Sequence, residues 1–164
     1  MGKTISNGVY TSSQDILNAL EQLQTNACDM LLNTGGLAIG SSSKAAVKIA
    51  NTVYAMIDGA LVKKTTAEVA LSGTVTNAKF NVYVLSMDAS GTVTASMGTE
   101  GATIGAVVFP TVPDDEVVLG FVIVNPTGTG NFVGGTTALD DATVAPNAVY
   151  VNTPYPFNLN ALSL

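Results

Sequence analysis

The chain has 164 residues, of which 47% are hydrophobic and only 11% charged, and its net charge is −6. That length sets one domain, or one domain with an appendage, and the apolar balance excludes intrinsic disorder. There is no His, no Trp and no Arg, so the commonest general base, the commonest metal ligand and the bidentate phosphate reader are all missing. An acidic chain without Arg is a poor partner for nucleic acid or for an anionic membrane, and neither is expected.

Cys28 is the one cysteine, so no intrachain disulfide is expected. The residues after Lys3 show no apolar signal region, and Gly2 with Ser6 fits the myristoylation pattern only formally. The best apolar run, Val117 to Val124, is about half of the ~18 residues a membrane-spanning helix needs. The simplest expectation is a soluble protein made in the cytosol.

Residues 1–11 read as a polar arm. Ser12 or Ser13 offers an N-cap, and Asp15 sits favourably in the first turn. Ile16, Leu20, Leu23, Ala27 and Met30 then recur at spacings of four and three, which predicts an amphipathic helix over about 13–33. Leu17 and Leu31 widen its apolar face. This stripe has two readings: packing on the chain's own β domain, or a seam against copies of itself or another protein. Its five residues are the candidate oligomer or docking interface. Gly35-Gly36 ends the helix, and residues 37–44 read as a flexible linker between an arm-and-helix segment (1–36) and a β domain (45–164).

From Ala45 the period becomes two. Val47, Ile49, Val53, Ala55 and Ile57 share one parity, Asp58-Gly59 signals a hairpin, and Ala60 to Lys64 is the return strand. Phe80, Val82 and Val84 alternate before the turn Asp88-Ala89-Ser90-Gly91, which leads into Thr92 to Met97. Ile104 to Phe109 reads as another strand. Val117 to Val124, apolar on both parities, suits a central strand covered on both faces, and Val149 to Asn152 reads as the last strand. The tail with Pro154 and Pro156 is expected to lie extended. Short strands separated by Gly, Pro and Asp turns predict a mainly β fold: an antiparallel β-sandwich or barrel, jelly-roll-like, with one N-terminal amphipathic α-helix.

Chemical motifs are weak. Ser41 to Lys44 contains a Ser-x-x-Lys without its partner motifs, and no His is present to activate Cys28. Asp114-Asp115-Glu116 and Asp140-Asp141 lack the alternating spacing of a calcium loop and read as solvated turns. The glycine-rich run Thr127 to Asn131 lacks the Lys-Ser/Thr of a phosphate loop. No enzyme activity, catalytic residue, cofactor or metal is therefore expected.

The order of phrases in residues 53–152 carries a resemblance. Val53-Tyr54-Ala55-Met56-Ile57-Asp58-Gly59 precedes Val69-Ala70-Leu71-Ser72-Gly73, then Tyr83-Val84-Leu85 and Asp88-Ala89-Ser90-Gly91-Thr92-Val93. Pro110, Pro113-Asp114-Asp115, Leu119 to Val124, Asn131 to Leu139 and Tyr150-Val151-Asn152 complete the series. This order resembles small virion structural proteins of tailed bacteriophages, which decorate or cement the capsid or form head fibres. The resemblance implies a non-enzymatic particle component, trimeric, whose partners are copies of itself and the major capsid protein. Its place would be the capsid exterior of the virion, after synthesis in the host cytoplasm. A head- or tail-fibre module contacting the host is the alternative within the particle. A bacterial surface adhesin or sugar-binding module is the alternative outside it.

Overall fold

The computed structural model describes residues 16–18, 29–146 and 148–153. Residues 16–18 are helical. Among the described residues twelve short strands follow: β1 (Met30–Leu31), β2 (Leu37–Ile39), β3 (Ala46–Ile49), β4 (Val53–Ile57), β5 (Ala60–Lys64) and β6 (Ala67–Ala70), then β7 (Thr74–Val75), β8 (Asn81–Met87), β9 (Val93–Met97), β10 (Val117–Val124), β11 (Phe132–Val133) and β12 (Val149–Asn152). Every strand pairing is antiparallel. The sheets run β1-β4-β5, β2-β3-β6, β12-β10-β8-β9 and β11-β7.

The fold is mainly β, with antiparallel sheets packed about a shared core. Alternation puts Leu31, Leu37, Val47, Ile49, Val53, Ala55 and Ile57 on the inner faces of the two three-stranded sheets. They meet Tyr83, Leu85 and Met87 of β8 and Val117, Leu119, Val122 and Val124 of β10. Phe132 closes the core from β11, its ring edge-on to Tyr83 with centroids 6.1 Å apart.

Strand β10 has two covered faces, as its double apolar parity predicts. A bulge between Val118 and Gly120 shifts the register against β8. Val118 and Phe121 consequently face outward, where they join Val82, Val84, Val107 and Val112 in a second cluster. Gly120 has φ +152, and a Cβ there would lie 2.3 Å from the Val151 carbonyl oxygen, so only glycine fits. The Asp58-Gly59 hairpin forms with φ of 51 and 72 at the two central residues, the positive pair a type I′ turn requires. At the β8–β9 turn, Asp88 Oδ1 accepts from the Ser90 and Thr92 backbone N–H groups at 2.8 and 2.9 Å.

Three expectations are corrected. The helix expected over 13–33 does not reach its end, because Met30 and Leu31 pair with Met56 and Ala55 of β4. Leu31 is thereby buried in the core by strand alternation, a long-range pairing that overrides the local helical period. The flexible linker expected over 37–44 is instead a strand and a pinned loop. Leu37–Ile39 pairs with β3, and the Leu37 N–H donates to Asn152 Oδ1 at 2.7 Å. Ile104–Ala106 is a 3₁₀ turn rather than part of a strand over 104–109, and only Val108 makes a bridge, to Thr99. Gly101 allows this, because it lies so close to Ala106 that a Cβ would come within 2.6 Å of its backbone. Leu20, Leu23, Ala27, Cys28 and the Pro154–Pro156 tail lie outside the described residues.

Candidate interaction surface

Sheet register creates an apolar row that the linear sequence does not display. Met30 opposes Met56 in the β1–β4 pair, and Met56 opposes Leu61 in the β4–β5 pair. Their inward neighbours Leu31, Ala55 and Val62 are buried, so all three side chains project from the outer face. Leu61 is 63% exposed, while Met30 and Met56 are half-buried. Tyr54 and Leu32 extend the face by one row, with the Leu32 N–H donating to the Tyr54 carbonyl at 2.9 Å. Lys63 stands opposite Tyr54, its Nζ 5.8 Å from the ring centroid, and places a positive charge at the rim.

A second apolar surface lies on the loop that covers the outer face of β8 and β10. Val107 and Val112 fill the cluster beneath it, and Phe109 stands edge-on to Phe121 at 5.3 Å. Ile104 and Val108 point away from this cluster and are 51% and 60% exposed. The loop continues into exposed Asp114 and Asp115. Glu116 turns back, its Oε2 accepting from Ser86 Oγ.

Of the candidate stripe, Ile16 is helical and exposed, and Met30 lies in a strand on the apolar face. Exposed Leu17 stands beside Ile16. The rows Met30–Met56–Leu61 and Ile104–Val108 were missed because period and motif report neighbours along the chain, not across a sheet. The signal available for the first row was the parity opposite the core residues of β4 and β5.

The chemical motifs resolve into local structure. The Glu68 carboxylate accepts from the backbone N–H groups of Ser41, Ser42 and Ser43 at 2.7, 2.8 and 3.1 Å. The Ser42 bond, with those of Ser43 and Ser41, holds the Glu68 carboxyl below its ordinary range. Ser41 Oγ accepts from Lys48 Nζ at 2.9 Å, so the hydroxyl of the Ser-x-x-Lys is engaged by a lysine outside that motif. Asp141 Oδ1 accepts from Thr143 Oγ1 and the Thr143 N–H at 2.6 and 2.8 Å, which lowers its pKa and commits it to a turn. Gly128 lets the chain pass against the Thr143 carbonyl, where a Cβ would be 1.5 Å away. Among the described residues, no three potential metal ligands come together. Among the described residues, two buried hydroxyls, of Tyr83 and Tyr150, have no hydrogen-bond partner, and burial pushes both phenols up to about 12.

Comparison with protein-family models, with curated proteins and with solved structures finds no match to this chain.

Proposed function

We propose that this chain is a non-enzymatic virion structural protein: a capsid decoration (cement) protein that assembles as a homo-oligomer, a trimer, on the outside of a phage head. The observation that carries this reading is a filled β core bearing two exposed apolar surfaces, on a chain with little charge to keep such surfaces apart. Contiguous exposed apolar patches on a folded domain mark interaction sites. The order of phrases through residues 53–152, which resembles phage decoration and head-fibre proteins, supplies the kind of partner: the major capsid protein. The acidic net charge suits the exterior of a shell rather than contact with packaged DNA.

The mechanism needs no chemistry. A protein that binds only the assembled shell stabilises it by linkage, by about 2.7 kcal/mol per site at a free concentration a hundred times Kd. Surface burial against the capsid, with avidity from several linked copies, then resists the internal pressure of the head. Heads assembled without the protein, mixed with it and sedimented, test the proposal. Expected are co-sedimentation at saturable stoichiometry and a higher temperature of DNA release. Protein that stays in the supernatant while the heads melt unchanged would refute the role.

A further inference from the structure

We draw no further inference here: the strongest candidate, the outer apolar face of β1-β4-β5 formed by Met30, Met56, Leu61 and Tyr54, carries none, because nothing in the structure shows what covers it.

Discussion

The two three-stranded sheets close the same core and differ on their outer faces. In β2-β3-β6 the outward row is Ala38, Lys48 and Glu68. Its polar ends are spent locally, Lys48 on Ser41 and Glu68 on the backbone of residues 41–43. In β1-β4-β5 the corresponding row is Met30, Met56 and Leu61. One sheet meets water with small and charged groups that also brace a loop. The other meets it with Leu61, 63% exposed, and the half-buried Met30 and Met56. A side chain kept apolar on an outer face, beside a sheet that shows the polar solution, points to contact outside the single copy.

That contrast can be broken most severely on β5 itself. Val62→Asp places a carboxylate on the inner face, where Val62 is 8% exposed, and should cost several kcal/mol and abolish the cooperative melt. Leu61→Asp, one residue away on the outer face, should leave the melt in place. If both variants unfold, the outer face is part of the core and the contrast is wrong. Phe109→Ala should cost about 1–2 kcal/mol, because it loses the edge-on contact with Phe121 but starts half exposed. Chemical denaturation measures it, and a loss as large as that of Val62→Asp would show the covering loop to be core.

Glu68→Gln should have a smaller effect, read as faster amide exchange at Ser41 to Ser43 and a slightly lower melt. The same bonds give a pH dependence. The folded-state pKa of Glu68 is depressed, so its contribution is complete above the ordinary value of 4.5 and is lost as pH falls through the folded value. Asp88, Glu100 and Asp141 are depressed in the same way, by Ser90, Thr76 and Thr143 respectively, so the wild-type melt should fall below that pH. Glu68→Gln should flatten the fall, and an identical acid profile would show that the carboxylate does not hold the loop. Smallest of all, Tyr83→Phe removes a buried hydroxyl without a partner among the described residues and should leave stability equal or slightly higher. A clear loss would reveal a partner for that hydroxyl.

Much of the sandwich was legible because its signals are local. The Asp58-Gly59 turn needs two positive φ values, and Asp88 caps its own turn, so adjacent residues suffice to announce both hairpins. The double parity of Val117 to Val124 announced a strand with two covered faces before its bulge was visible. What escaped was long-range. Residues 41–43 read as flexible because their acceptor, Glu68, lies 25 to 27 residues away. Met30 fits a helical stripe by spacing and a strand by pairing, and only the presence of Met56 across the sheet decides between them. The apolar face escaped for the same reason, since its row joins three strands.

The most direct measurement is the mass of the wild-type protein by light scattering across the micromolar range. A single species at a small integer multiple of 16.7 kDa, three for a trimer, is expected. A species of 16.7 kDa at every concentration would contradict the account, because both apolar surfaces would then face water in the finished protein.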